Sequence, residues 1–214
     1  MEKKSSKKDE AIDLFRLCSE YCKIIEKAEK VSLHELLDQV SVSLMAVYQK
    51  VFMITRFQTK YENEPKHFLT ERQYNKVRNG IKEVLGKKDE YQEIIDPNRP
   101  SVRVIFKASI SEDLADIYQD FTDFCQWYAE GTFESINDSV IELLNNYDKY
   151  WGIKLLNVLK AIHVIRYMKK DASLFSDPLG EEVYESPAAD DEEDSDEDDD
   201  DSEDMEELLN EEGN

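Results

Sequence analysis

The sequence predicts an all-α bundle of about six helices, followed by a disordered acidic C-terminal tail. Three observations carry this expectation. Apolar residues recur at three- and four-residue steps through most of residues 8–168. Three Ser/Thr-x-x-Glu/Gln strings stand ahead of such runs as capping boxes. No stretch shows a strong strand pattern, which leaves helix-on-helix packing as the way to bury the apolar stripes.

The first helix is expected from about Lys8 to Glu29, with Ile12, Phe15, Cys18, Tyr21, Cys22, Ile25 and Ala28 on one stripe. Ser32 and Glu35 form a capping box for a second helix reaching about Thr55. A polar connection leads to Thr70 and Gln73, a second box, and to a third helix that Gly86 is placed to end. "GKKDEYQEIIDPNRP", Gly86–Pro100, reads as a loop or short helical turn closed by its prolines, and "VRVIF", Val102–Phe106, as at most a short extended piece. Ser109 and Glu112 open a fourth helix, which Gly131 ends. A fifth spans roughly Phe133 to Tyr150, with a break or kink at Gly152. The sixth, Ile153 to Met168, is apolar almost all round, the mark of a central buried helix.

The 214 residues carry a formal charge of −22, but very unevenly. From Leu179 onward there are 20 Asp and Glu and no Lys or Arg, which leaves 29 of the 49 acids and all 27 bases in residues 1–178. The chain therefore divides into a near-neutral body, residues 8–178, and an acidic tail, residues 179–214. Such a body can bury a core without disulfides or metals. Cys18, Cys22 and Cys125 are odd in number and lack ligand spacing, so free buried thiols in a reducing compartment are expected. No signal-peptide pattern or membrane-length apolar run is present, which points to the cytoplasm and away from membranes. Walker-type, dinucleotide and Gly-x-Ser-x-Gly strings are missing, and six glycines leave little phosphate-cradling backbone. The bases are scattered among acids and the aromatics sit at core spacing, so nucleic acid is not an expected partner.

The string "SISEDLADIYQDFTDF", Ser109–Phe124, poses the catalytic question. On a helical wheel Leu114, Ile117, Phe121, Cys125 and Tyr128 gather on one side, while Glu112, Asp113, Asp116, Asp120 and Asp123 share the other. A carboxylate metal site would need acids on facing helices or a Glu-x-x-His pair on a helix, and no helix carries that pair. Glu134, Asp138 and Glu142 of the fifth helix lie opposite its own apolar stripe. The acids are therefore expected to face water, with no metal and no cofactor. His163 falls among apolar residues of the sixth helix, as a hydrogen-bonded core histidine. His34 and His67 have no obvious partner. If the protein is an enzyme, Asp116, Asp120 and His163 are the catalytic candidates.

"SISEDLADIYQDFTDF" (Ser109–Phe124), "YWGIKLLNVLKAIH" (Tyr150–His163) and "TERQYNKVRNGIKEVLGKKDEYQEIIDP" (Thr70–Pro97) resemble the bacterial family known as domain of unknown function 5063, over most of residues 10–170. The resemblance implies a helical bundle in a bacterial cytoplasmic protein. It carries over no activity, cofactor or catalytic residue. It does make Asp113, Asp116, Tyr118, Asp120, Trp151 and His163, all in family-like strings, the candidates for any site, with Asp113, Tyr118 and Trp151 expected to line a groove between the fourth and sixth helices.

The tail has too few apolar residues to offset the entropy of ordering it, and its like charges repel. Met205, Leu208 and Leu209 stand at i, i+3 and i+4 and would form an apolar strip if a partner induced a helix. The expectation is thus a non-enzymatic helical interaction or adaptor protein whose tail binds a basic protein partner. The alternative is a metal-dependent or hydrolytic enzyme using the fourth helix and His163.

Overall fold

Six α-helices and one hairpin follow one another along residues 7–55, 57, 61, 64–95 and 104–168, the residues that the structure, a computed structural model, describes. All of them belong to the first of two units, Met1–Glu182 and Val183–Asn214. The acidic tail, with Met205, Leu208 and Leu209, lies outside the described residues.

Helix α1, Lys7–Ile25, buries Cys18, Tyr21, Cys22 and Ile25 of the expected stripe together with Ala11 and Leu14, while Ile12 and Phe15 are half-buried. A 3-10 turn, Ala28–Lys30, leads to α2, Leu33–Met53, whose first turn is capped by Ser32 Oγ accepting from Glu35 N at 3.3 Å. Only half of that capping box forms, because Glu35 turns forward and accepts from Gln39 Nε2 at 3.0 Å. Helix α3, Glu71–Leu85, has the complete box between Thr70 and Gln73 and ends at Gly86, whose φ of 55° suits a residue without Cβ.

The segment expected as a loop or short helical turn does begin with a 3-10 turn, Gly86–Lys88, but continues as strand β1, Glu90–Ile95. It pairs antiparallel with β2, Val104–Ser109, in the register Glu90↔Ser109 to Ile95↔Val104. The extended reading of "VRVIF" thus holds from Val104. Strand β1 was hidden because "EYQEII" has no clean alternation, and its partner is what makes it a strand.

Helix α4, Ile110–Tyr128, is the centre of the bundle, packing against α1, α3, β2, α5, Phe133–Asn146, and α6, Gly152–Tyr167. Eleven of its residues are buried, against five of α6. Phe121 meets Tyr21 and Trp151 edge-on at 5.1 and 5.0 Å, and Tyr21 donates its hydroxyl to Leu114 O at 2.9 Å. The expectation that α6 is the buried central helix is corrected. It buries Leu155, Val158, Ala161 and Ile162, while Ile153, Leu156, Val164 and Tyr167 are exposed.

Nor does Gly152 break the chain. Helix α5 runs through a π turn, Tyr147–Trp151, into α6, and Gly152 keeps helical φ and ψ of −62° and −44°. Its N–H bonds Tyr147 O, and a Cβ at Gly152 would stand 2.5 Å from that oxygen. Glycine is there for a close approach. The three cysteines are free, Cys18 and Cys22 buried and Cys125 half-buried. Among the described residues no helix is long and apolar enough to cross a membrane.

Candidate functional site

Of the five acids of α4 only Glu112 is exposed as expected; Asp113 is buried and Asp116, Asp120 and Asp123 are half-buried. Asp113 and Asp116 point to a shared cluster with Lys154 of α6, whose ammonium lies 2.9 Å from Asp113 Oδ1 and 2.8 Å from Asp116 Oδ2. Tyr91 of β1 donates its hydroxyl to Asp113 Oδ2, and Tyr74 of α3 donates to Asp116 Oδ1 at 2.6 Å. Four elements are thereby tied together by two carboxylates one helical turn apart. Burial alone would lower the Lys154 pKa, but its hydrogen bonds to Asp116 and Asp113 outweigh this and hold it above the usual lysine range. Tyr74 is pushed up by burial and by its bond to the Asp116 carboxylate. Lysine and tyrosine are thus kept protonated, which makes the cluster a set of filled hydrogen bonds and a poor source of a general base.

One turn further on, Asp120 accepts from Asn146 Nδ2 at 2.8 Å. Burial raises its pKa to about 6; the Asn146 bond opposes this, and the Asp123, Asp116 and Glu142 carboxylates add to the rise. Asp123 Oδ1 accepts from the backbone N–H groups of Phe68 and Leu69 at 2.7 and 3.2 Å, and its Oδ2 meets His67 Nδ1 at 3.1 Å. This carboxylate fixes the entry to α3. Asp120, Asp123, His67 and Trp127 border a cavity of about 50 Å³, room for a water or two. Trp127 is buried, and its indole N–H is without a partner among the described residues.

Asp89 is the residue that sequence reasoning missed. It is 3% exposed, at the foot of β1, and accepts from Ser111 N at 2.7 Å and from the Ser109 and Ser111 hydroxyls at 2.9 Å each. Its own backbone oxygen takes the N–H of Ile110 at 2.8 Å. The N-terminus of α4 is thus capped by an aspartate twenty residues upstream as well as by Ser109, which accepts from Glu112 N at 3.4 Å.

The predicted site residues scatter. Asp113, Tyr118 and Trp151 do not line an open groove; they are 5%, 6% and 0% exposed because α4 and α6 pack directly together. Trp151 donates its indole N–H to Leu143 O at 3.0 Å. Tyr118 bonds Glu26 at 3.1 Å, and burial, with the Glu26 charge, raises its pKa to about 12 against a lowering bond to Thr122. His163 is not a core histidine: it is exposed, its ring 4.9 Å from that of Tyr167. Asp116, Asp120 and His163 therefore have three separate sets of partners. Two smaller expectations also change, since Asp138 is fully buried and accepts from Tyr61 N at 2.8 Å, and His34 lies 3.3 Å from Asp38. Among the described residues no group of three or more His, Cys, Asp or Glu side chains is placed to hold a metal ion.

A signal for the inward acids was present in the sequence. Asp113, Asp116, Asp120 and Asp123 follow one another at helical neighbour spacing, with no Lys or Arg between Ser109 and Phe124. Like charges so placed repel, and a solvated helix face more often mixes signs. A one-signed row asks for donors from other elements, and α3, β1, α5 and α6 supply them.

The family model that matches is described as domain of unknown function, DUF5063, and it covers residues 5–168. The chain belongs to this family. Among solved structures it is similar to protein BF1032 from Bacteroides fragilis, with 31% identity, a TM-score of 0.65, and coverage of 75% of this chain and 94% of that one. No curated protein matches the sequence. The family assignment accounts for the helical body and assigns no chemistry to the α4 cluster.

Proposed function

We propose that this protein is a non-catalytic docking protein, in which the helical body offers an apolar face and the acidic residues 179–214 engage a basic protein partner. One observation carries the reading. Of the twelve large hydrophobic residues exposed among the described ones, ten lie on α2 or between Tyr150 and Met168. On α2 they are Val42, Met45, Phe52 and Met53, within an arc of about 100°. Isolated exposed apolar residues need no explanation, but a contiguous concentration of this kind marks an interaction site. The acidic segment supports a basic partner by charge alone, with 20 acids and no base from Leu179 onward.

A catalyst using Asp116, Asp120 and His163 has less support. Lys154 sits between Asp113 and Asp116, Asp120 is engaged by Asn146, and His163 is exposed on α6 with its ring tilted against that of Tyr167. The docking reading is tested by capture from a lysate of the source organism. The full chain, a chain ending at residue 178, and full-length Leu156→Glu would be compared at low and high salt. Truncation should weaken capture at low salt, and the difference should fade above about 0.5 M salt, where the Debye length is only a few ångströms. Leu156→Glu should weaken capture at every salt concentration. Capture indifferent to both changes defeats the reading.

A further inference from the structure

We propose that the partner covering the α2–α6 face is a second copy of this chain, related by a two-fold axis, so that two helix pairs close into a four-helix layer. This rests on the docking reading above and names the occupant of its apolar face; the basic partner is left to the acidic segments.

Helices α2 and α6 are packed neighbours, and Arg166, in the last turn of α6, is ion-paired with Asp38 in the first half of α2, so the two run antiparallel. Toward the interior this pair rests on α1 and α4. On the outer side Val42, Met45 and Phe52 share the arc of α2 that contains Asp38, which places them along the seam with α6. Leu156 and Tyr167 lie on the exposed arc of α6 that borders the same seam. A two-helix layer that is apolar on both sides needs a layer on each side. An identical antiparallel pair supplies one, and four-helix packing is the ordinary solution for such surfaces.

The 21 residues of α2 and 16 of α6 give a pair about 31 and 24 Å long. At an interaxial distance of about 10 Å the pair is roughly 20 Å wide, so its footprint approaches 500 Å² before side-chain relief is counted. That is of the order of the ~800 Å² per partner in a standard stable interface.

The ionic groups on or beside this face, Glu35 and Asp38 against Lys160 and Arg166, balance. A strongly basic or acidic partner gains nothing there, while two copies meet no local repulsion. The repulsion that remains comes from the whole chains, each with a formal charge of −22. Salt screens that repulsion without weakening apolar contact, so self-association strengthens as ionic strength rises. Capture of a basic partner has the opposite salt dependence.

Sedimentation velocity of the full chain, from about 1 to 100 μM and at low and high NaCl, tests the proposal. The expected result is a species of twice 25.1 kDa whose share grows with salt. Met45→Glu and Leu156→Glu, both at exposed positions, should each weaken the dimer by about tenfold or more with unchanged circular dichroism. Phe133→Glu, at a still more exposed position in the first turn of α5, should leave it unaltered. A chain that stays monomeric at the highest concentration in high salt overturns the second-copy assignment. If Leu156→Glu then still abolishes lysate capture, the docking reading survives with a different occupant. A dimer that ignores both glutamate variants overturns the assignment of this face.

Discussion

Helices α4 and α6 exchange the roles that their sequences suggest. Helix α4 carries five acids and looks like a surface helix with one dry side, yet eleven of its residues are buried and its acidic arc is roofed by α3, β1 and α6. Helix α6 is apolar nearly all round and looks like a core helix, yet it presents Ile153, Leu156, Val164 and Tyr167 to the outside. The difference teaches that hydrophobicity reports what a helix could bury, whereas position in a bundle depends on which neighbours bring partners. An aspartate row is cheap to enclose when a lysine, two tyrosines and an asparagine arrive to meet it.

The comparison breaks most readily at Lys154. Lys154→Met leaves Asp113, 5% exposed, with only Tyr91 as partner, and should cost about 3 kcal/mol in urea unfolding. Adding Asp113→Asn should restore most of that loss, because it removes the orphaned charge. If the single variant is neutral, the cluster is not what holds α4 and α6 together. Next in size, Asp89→Ala strips the N-terminus of α4 of a buried acceptor with three side-chain-mediated hydrogen bonds and should cost about 2 kcal/mol. A loss close to that of an exposed cap would show the hairpin to be a minor support.

The third effect has the opposite sign. Asp120 titrates near 6 in the folded chain and near 3.9 unfolded, so the folded state holds the proton more tightly between those values. Its carboxyl therefore costs little below about pH 4; the cost grows between about pH 4 and 6 and is fully present above that. Asp120→Asn, which can still accept from Asn146, should raise stability at pH 7 by about 1 kcal/mol and make no difference near pH 4. A variant no more stable at pH 7 than at pH 4, relative to the parent, would mean that Asp120 is better solvated than its surroundings imply. The smallest effect belongs to α6. Leu156→Gln, measured by unfolding at the lowest workable concentration so that self-association does not contribute, should change stability by less than about 0.5 kcal/mol.

The helices were legible because local signals set them. The cap at Ser32, the complete Thr70–Gln73 box and Gly86 each act within a few residues of where they are read. Strand β1 and the Asp89 cap were not, since each exists through a partner about twenty residues away. The direction of the α4 acids was a question of the same kind: the wheel showed correctly that they share an arc, but the expectation that this arc faces water failed for the aspartates, because a wheel does not show what covers it. His163 shows the converse, because apolar neighbours along a helix do not make an interior if the helix lies at the rim.

The π turn between Tyr147 and Trp151 sets the phase of everything after it. One residue more than a regular helix needs is accommodated there, and each residue swings a helical side chain by about 100°. Lys154 reaches Asp113 and Asp116 only in the present phase, and the same rotation aims Leu156 outward. Were the same residues wound as regular α-helix, the ammonium would turn away from its carboxylates and greasy side chains would take its place. The one wide turn between α5 and α6 thus governs, at one stroke, what the body seals inside and what it shows to others.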